Sequence, residues 1–257
     1  MTLLSSTAPA SGSRSAQPRS VLVTGASGGI GGAVCRAFAQ AGCRVGIHYH
    51  RRKASAELLL SELEQAGGRA STYQADVRDA ASVRQMVDLF AHDSPRPLSF
   101  VCSAGVASAQ LVVRHGEDDW ADVIATNLTG LFHCLRAMAP WLEAQGGGSI
   151  VVIGSYAGYQ GMAGQAAYAA SKAGMLGLIK TAALEWGSQN VSVNLLWPGW
   201  QKSPLAEAAM SRREGWDDHA LSRPPAVAEV VATVVHLAAL KDVSGQIWNC
   251  DSRPVFL

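Results

Sequence analysis

From residue 20 onward, short runs rich in β-branched residues alternate with segments whose apolar residues recur at helical spacing. Parallel strands must be joined by crossover connections, so such alternation is typical of a parallel sheet with helices on both faces. The pattern predicts about seven strands, at 20–24, 44–49, 70–75, 98–102, 149–153, 191–196 and 246–250. Helices are predicted at 30–41, 54–66, 82–91, 118–145, 166–187 and 226–240. We therefore expect an α/β fold with a doubly wound parallel sheet, in which Pro140 bends or shortens the longest helix.

Two segments depart from this alternation. Residues 1–19 are rich in Ser, Ala and Pro and contain no acidic residue, and their lack of amphipathic periodicity predicts a disordered tail rather than a transit peptide. Residues 198–225 are irregular and contain four prolines. Loops of this length inside a compact domain are commonly functional, so we expect a substrate lid at about 200–223. The whole of 20–257 is predicted to be one domain.

The composition excludes several classes of protein. Hydrophobic residues make up 48% of the chain and charged residues 16%, which argues for a compact core and against disorder. A net charge of +1 gives no broad attraction to nucleic acid or to a membrane surface, and no apolar run reaches the ~20 residues of a membrane span. The five cysteines are scattered and form no metal-binding or redox pair. We therefore expect a cytoplasmic protein without a metal site and without a nucleic-acid or membrane partner.

The first predicted strand runs directly into a glycine-rich turn, Thr24-Gly25-Ala26-Ser27-Gly28-Gly29-Ile30-Gly31-Gly32. Glycines permit a tight turn and let backbone N–H groups approach a pyrophosphate, which the N-terminus of the following helix then attracts. Glycine-rich runs are common in ordinary turns, but this one joins a strand to an amphipathic helix. That context predicts a dinucleotide site in a Rossmann-type domain.

The end of the second predicted strand indicates which dinucleotide is bound. It reads His48-Tyr49-His50-Arg51-Arg52-Lys53 and lacks the carboxylate that holds the ribose hydroxyls of NAD. Guanidinium groups form charge-assisted hydrogen bonds with phosphate, so this cluster favours the 2′-phosphate of NADP(H). The alternative is that these residues only form the solvated start of the next helix.

The spacing of Gly25, Gly29 and Gly31 resembles the TGxxxGxG motif of the short-chain dehydrogenase/reductase family rather than the commoner GxGxxG. Further family motifs follow in order up to about residue 250: Asp76-Val77, Thr126-Asn127-Leu128, Ser155, Tyr168-Ala169-Ala170-Ser171-Lys172 and Pro198-Gly199. The set as a whole is specific, although no single motif is. Within the family, the sequence is most similar to the branch that includes the 3-oxoacyl-acyl-carrier-protein reductases.

Four residues are predicted to be catalytic. Tyr168 and Lys172 lie four residues apart on a predicted helix and so share a face, where the ammonium group should lower the pKa of the phenol below its usual value of about 10. The phenol could then exchange a proton with a carbonyl oxygen while the cofactor exchanges a hydride. The resemblance implies that Ser155 holds the substrate oxygen, that Lys172 also binds the nicotinamide ribose, and that Asn127 takes part in a proton relay. Taken singly, a tyrosine and a lysine at this spacing are more often a surface contact.

The residues expected to bind NADP(H) come from the glycine turn and from the ends of the other strands. They are Gly25, Ser27, Gly28, Gly29, Ile30, Gly31, His50, Arg51, Arg52, Asp76, Val77, Ser103, Ala104, Gly105, Tyr168, Lys172, Pro198 and Gly199.

The chain departs from the family pattern at two places. The fourth strand ends in Cys102-Ser103-Ala104-Gly105 where relatives have NNAG, so Ser103 replaces an asparagine that usually ties neighbouring strands together. The C-terminal Asp-Gly-Gly turn of many relatives is replaced by Asp251-Ser252-Arg253-Pro254. Proline lacks an N–H donor, and the conformational freedom of the two glycines is lost. We therefore expect the C-terminal turn to have a different conformation from that of such relatives.

The resemblance implies reduction of a ketone to a secondary alcohol by NADPH, or the reverse, in fatty acid or polyketide metabolism. The expected substrate is a 3-oxoacyl thioester or a related apolar or aromatic ketone, with an acyl carrier protein as candidate partner. The site is flanked by Tyr156, Tyr159, Met162, Trp197 and Trp200, which either line an apolar pocket or are packing residues. A regulatory relative with weak catalysis and a dehydrogenase of a small alcohol or quinone remain alternatives.

The resemblance also implies a homodimer or homotetramer, formed by pairing the helices that carry Asn127 and Tyr168. The second of these helices has small residues that allow close approach: Ala166, Ala167, Ala170, Gly174 and Gly177.

Overall fold

The computed structural model describes residues 20–201, 216 and 218–254. Among these residues seven parallel strands form a single sheet in the order β3-β2-β1-β4-β5-β6-β7. The strands are β1 (Ser20–Thr24), β2 (Arg44–Tyr49), β3 (Arg69–Gln74), β4 (Leu98–Cys102), β5 (Gly148–Ile153), β6 (Val191–Trp197) and β7 (Ile247–Asn249). Val21 of β1 pairs with Val45 on one side and with Ser99 on the other. The order reverses beside β1, which gives the doubly wound fold that the sequence predicts.

Helices cover both faces of the sheet. They are α1 (Gly29–Gln40), α2 (Lys53–Gln65), α3 (Ala80–Asp93), α4 (Glu117–Ile124), α5 (Gly130–Ala144), α6 (Ala157–Gln160), α7 (Ala166–Trp186) and α8 (Val227–Ala239). Phe38, Leu59 and Val234, from α1, α2 and α8, belong to the apolar cluster on one face. Phe90 of α3 and Ile179 of α7 belong to the cluster on the other. Every residue of β1, β4 and β6 is buried, as a parallel sheet between two helical layers requires.

The predicted helix at 118–145 is interrupted, but not where the sequence suggests. A π-helical turn at Ala125–Thr129 separates α4 from α5, whereas Pro140 lies inside α5, which continues to Ala144. The expected effect of Pro140 on the length of this helix is therefore wrong. A π-helical turn inserts one extra residue per turn, and here it carries Asn127.

Parts of the prediction concern residues that the structure does not describe. The predicted tail, residues 1–19, lies outside the described residues, as do 202–215 and 217 of the predicted lid. The helix α6 was not predicted, since four residues are too few to show periodicity. Within the described ranges, no helix has the length and apolarity needed to cross a membrane.

Candidate active site

A cleft of about 630 Å³ opens at the carboxyl ends of β1 and β4, where the strand order reverses. This switch point is where doubly wound sheets bind their ligands. Every residue predicted to bind the cofactor lines the cleft, from Gly25 in the glycine turn to Gly199 after β6, and so does Ser155. Asn127 alone among the predicted site residues is not part of the lining. The structure thus brings the predicted site together, while the roles of its residues stay predictions.

The glycine turn is shaped so that side chains cannot be added to it. Gly25 has a φ of +67°, and a Cβ there would lie 2.7 Å from the Cα of Ala104. A Cβ on Gly31 would lie 2.4 Å from the carbonyl oxygen of Gly25. The backbone of Gly28, Gly29 and Ile30, at the start of α1, faces the cleft. A cradle of bare backbone at a helix N-terminus fits the pyrophosphate of a dinucleotide.

His48, at the end of β2, holds this turn in place. The backbone N–H of Gly25 donates to Nδ1 of His48 at 2.9 Å, and Nε2 of His48 lies 3.1 Å from the carbonyl oxygen of Ala75. The backbone N–H of Ala26 donates to the carbonyl oxygen of His48 at 3.1 Å. Burial lowers the pKa of His48 to about 4. Sequence reasoning missed this role, because the only signal is one polar residue in a buried strand.

The ends of β1 and β4 are joined through Thr24. Its Oγ1 accepts hydrogen bonds from the backbone N–H groups of Ser103, at 3.1 Å, and Ala104, at 3.3 Å. In this chain, a side chain of the neighbouring strand β1 thus ties the two strand ends together. The threonine hydroxyl can accept both bonds because it has two lone pairs.

The end of the cleft lined by His50, Arg51 and Arg52 is where the adenosine half of the cofactor is expected, and we call it the adenosine end. There, an arginine that sequence reasoning missed, Arg78, holds Asp76. Arg78 donates to the carboxylate of Asp76 through Nε at 3.0 Å and Nη2 at 2.6 Å, and to Asp122 through Nη1 at 2.6 Å. The hydrogen bonds from Arg78 lower the pKa of Asp76 to about 2. Nε2 of His50 lies 3.6 Å from the same carboxylate. Arg51 and Arg52 are exposed at this end of the cleft.

Ser155, Tyr168 and Lys172 meet beside the glycine turn. Ser155 follows β5, and its Oγ accepts a hydrogen bond from the backbone N–H of Ala157 at 3.2 Å. The hydroxyl of Tyr168 is hydrogen-bonded to Ser155. Lys172, four residues further along α7, places Nζ 5.6 Å from the centroid of the Tyr168 ring. Nζ donates to the carbonyl oxygen of Ile153 at 2.9 Å, which fixes the lysine against the end of β5.

Burial shifts the pKa of Tyr168 in the direction opposite to the one expected from the sequence. Burial raises the pKa of Tyr168, and the hydrogen bond to Ser155 only partly opposes that shift. Burial also lowers the pKa of Lys172 to about 8. The net shift of the Tyr168 pKa is therefore opposite to the one expected, because burial is its largest cause. The phenol of Tyr168 is then protonated at neutral pH, and its role as a proton donor stays a prediction.

Asn127 lies behind the cleft, where the π-helical turn directs its side chain into a closed hydrogen-bond network. Its Oδ1 accepts from the backbone N–H of Val106 at 2.9 Å. Its Nδ2 donates to the carbonyl oxygen of Val106 at 2.9 Å and to Oγ of Ser171 at 3.0 Å. The side chain thus ties the loop after β4 to α7, next to Lys172.

The aromatic residues predicted near the substrate divide into two groups. Tyr156, Met162 and Trp200 line the cleft, whereas Tyr159 and Trp197 do not. Tyr156 packs against both of the latter, with ring centroids 5.7 Å and 5.8 Å apart. Tyr159 and Trp197 are therefore packing residues behind Tyr156 rather than part of the cleft lining. No group of three or more metal-ligating side chains occurs in the described part of the chain.

Comparisons with known proteins agree with this geometry. Residues 19–214 match the family model described as short chain dehydrogenase. The 3-oxoacyl-[acyl-carrier-protein] reductase FabG of Staphylococcus aureus is 34% identical over 190 residues, which cover 74% of this chain and 77% of that protein. A 3-oxoacyl-[acyl-carrier-protein] reductase of Synechocystis sp. is 36% identical over 237 residues, covering 91% of this chain and 96% of the relative.

The fold is also similar to a solved structure. The crystal structure of a dehydrogenase/reductase from Sinorhizobium meliloti 1021 matches with a TM-score of 0.83 and 29% identity, covering 91% of this chain and 94% of that chain. The predicted family and the predicted similarity to 3-oxoacyl-acyl-carrier-protein reductases are both confirmed. The chain belongs to the short-chain dehydrogenase family and is an oxidoreductase that uses a nicotinamide cofactor.

Proposed function

We propose that this protein reduces a ketone to a secondary alcohol with NADPH, or catalyses the reverse reaction. The observation that carries the proposal is that Ser155, Tyr168 and Lys172 line the same cleft, with Nζ of Lys172 5.6 Å from the centroid of the Tyr168 ring. Together they supply a proton donor and a hydroxyl that can bind a carbonyl oxygen. A regulatory relative that binds the cofactor without turnover would have no need to keep these three groups in contact.

The residues of the site act in a definite order in the reducing direction. NADPH, which the glycine turn and the ends of the other strands would hold, would supply the hydride to the carbonyl carbon. Ser155 donates a hydrogen bond to the carbonyl oxygen and so stabilises the negative charge that develops there. Tyr168, whose pKa is raised by burial, delivers its proton to that oxygen and completes the alcohol. Lys172, fixed by Ile153, lies close enough to stabilise the tyrosinate that remains.

The preference for NADP(H) over NAD(H) rests on the charges at the adenosine end. His50, Arg51 and Arg52 follow β2 and line the cleft, with no carboxylate among them. The nearest carboxylate, Asp76, is bound by Arg78 and so repels a phosphate less than an unpaired acid would. The 2′-phosphate of NADP(H) would therefore enter a region where positive charge prevails.

For the substrate we propose a 3-oxoacyl thioester or a related apolar or aromatic ketone, with an acyl carrier protein as a candidate carrier. Two relatives bear names of enzymes that reduce such thioesters, and Tyr156, Met162 and Trp200 give the cleft apolar surface. We also propose a cytoplasmic homodimer or homotetramer, supported by the exposed small residues of α7, such as Ala170. A small alcohol or a quinone is the alternative substrate.

An assay of cofactor oxidation tests the proposal. The purified protein is given NADPH or NADH with an acetoacetyl thioester, an aryl ketone and a quinone, and absorbance of the reduced nicotinamide is followed. We expect turnover of at least one ketone, faster with NADPH, and none by the Tyr168→Phe variant. Binding of NADPH without turnover of any of these compounds would favour the regulatory alternative. Turnover of the quinone alone would favour the alternative substrate class, a small alcohol or a quinone.

A further inference from the structure

Arg253 is a charged residue in the cleft wall that the proposed reaction does not use. It follows β7, at the point where many relatives have a glycine. Its guanidinium carbon lies 3.9 Å from the centroid of the Tyr156 ring, next to Ser155. The residue lines the cleft although only 8% of its surface is exposed. A buried arginine that still borders a cleft is held there by specific contacts.

Asp251 binds the edge of the guanidinium group that carries Nε and Nη2. Nε donates to Oδ2 of Asp251 at 2.8 Å, and Nη2 binds the same oxygen. The backbone N–H of Arg253 donates to Oδ1 of Asp251 at 2.9 Å. The Asp251 side chain is fully buried and does not line the cleft. Nη1 donates to no protein group among the described residues, so within this part of the chain its two N–H groups have no competing acceptor.

The charges around the cleft are divided between its two ends. The carboxylates that line it, Asp76 and Asp122, both contact Arg78 at the adenosine end. At the substrate end, the lining charges in the described part of the chain belong to Lys172 and Arg253. The buried carboxylate of Asp251 compensates one of these two positive charges. The charges that line this end among the described residues are thus positive, while other lining surfaces, such as Met162 and Trp200, are apolar.

We propose that Arg253 is a substrate-binding residue, and that its Nη1 binds a carboxylate carried by the ketone. The preferred substrates are then oxo acids whose carboxylate lies on the Tyr156 side of the reacting carbonyl. Guanidinium groups bind carboxylates with directed, charge-assisted hydrogen bonds, and Asp251 together with the Tyr156 ring orients this one in advance. The inference rests on the proposed ketone reduction, and it favours oxo acids over 3-oxoacyl thioesters, whose acyl group carries no free carboxylate.

A purely structural role makes a different prediction. If Arg253 served only to close the C-terminal turn with Asp251, its removal would affect all substrates alike. A role in recognition instead affects substrates according to their charge. Pairs of ketones that differ only in that charge therefore separate the two roles.

The experiment compares an oxo acid with its own primary amide, in the presence of saturating NADPH. We expect the wild type to give the higher kcat/KM with the acid. Arg253→Met should lower kcat/KM for the acid about 10- to 100-fold, mostly through KM, and change the value for the amide less than about 3-fold. Arg253→Lys should retain part of the preference. Arg96→Met is the matched control, because Arg96 also lies over an aromatic ring, that of Trp141, but away from the cleft.

Several outcomes would overturn the inference while leaving the proposed function intact. One such outcome is that the wild type has an equal or higher kcat/KM with the amide than with the acid. This measurement does not depend on whether a variant folds. Another is an equal loss for acid and amide in Arg253→Met. If no ketone is turned over, the proposed function fails, and calorimetry on the NADPH-bound wild type still tests Arg253. Tighter binding of benzoate than of benzamide, with this preference lost in Arg253→Met, would support the inference. Equal or weaker binding of benzoate by the wild type, or a preference that the variant keeps, would overturn it.

Discussion

The backbone N–H of Gly25 donates a hydrogen bond to Nδ1 of His48, across the gap between the first strand's turn and the end of the second strand. Because Nδ1 accepts, the proton of the neutral ring must lie on Nε2, which then donates to the carbonyl oxygen of Ala75 at 3.1 Å. One imidazole thus connects the carboxyl ends of β1, β2 and β3. The conformation of the cofactor turn therefore depends on a buried side chain from the neighbouring strand.

Replacing His48 by leucine should therefore loosen the glycine turn. The N–H of Gly25 and the carbonyl of Ala75 would lose their partners, at a cost of about 1–3 kcal/mol each where they stay buried. We expect a lower free energy of unfolding in urea and weaker NADPH binding, with His48→Asn restoring part of both. His92→Leu, at an exposed helix position, is the control. Unchanged cofactor affinity in His48→Leu would show that the turn does not need this support.

The same histidine predicts an acid dependence. Its pKa falls from 6.5 in the unfolded chain to about 4 in the folded one, so between these values the unfolded chain binds more protons. Stability must then fall as the pH falls from 6.5 towards 4. Unfolding free energies of wild type and His48→Asn measured across this range should converge at low pH. A constant difference between the two proteins would contradict the assignment.

Tyr168→Phe removes the only proton donor proposed for the carbonyl oxygen. We expect kcat to fall by about 100-fold or more while the Kd for NADPH changes little, because the ring and the packing of α7 remain. Tyr159→Phe is a matched control, since Tyr159 lies near the same cluster but does not line the cleft. A variant that kept more than about a tenth of the wild-type kcat would require another donor.

Cofactor choice is tested at the end of β2. Replacing both Arg51 and Arg52 by glutamine should weaken NADPH binding by roughly 2–5 kcal/mol and leave NADH binding almost unchanged. Lys53→Gln is the control, because Lys53 pairs with Glu57 and is not part of the cleft lining. Titration of each protein with both cofactors measures the difference. Parallel losses for NADPH and NADH would argue against phosphate recognition by these arginines.

The sequence predicts the parts of the site that depend on neighbouring residues in the chain. It misses most of those that depend on contacts between distant residues. The bounds of β1, β2 and β4 and the clustering of Ser155, Tyr168 and Lys172 follow from periodicity and local motifs. The bridge that Arg78 makes between Asp76 and Asp122 could not be assigned, because Asp122 is 44 residues away in the chain. His48 and Arg253 likewise act through contacts that only the folded sheet creates. The direction of the Tyr168 pKa shift was not predicted, because the sequence shows the neighbouring lysine but not the depth of burial.

Burial of Lys172 leads to the last prediction, which concerns stability rather than activity. Its pKa is 10.5 in the unfolded chain and about 8 in the folded protein, so between these values the unfolded chain binds more protons. Stability contributed by this group therefore rises as the pH rises from 8 to 10.5, and below pH 8 the buried ammonium destabilises the fold by about 3 kcal/mol.

Lys172→Met lacks this dependence, so the wild type should gain stability relative to the variant over that range. Lys180→Met, at an exposed position of α7, should follow the wild type. Urea unfolding at pH 7, 8, 9 and 10 measures all three proteins. Parallel curves for the wild type and Lys172→Met would mean that the lysine keeps its ordinary pKa, and that its interaction with Tyr168 is stronger than the structure implies.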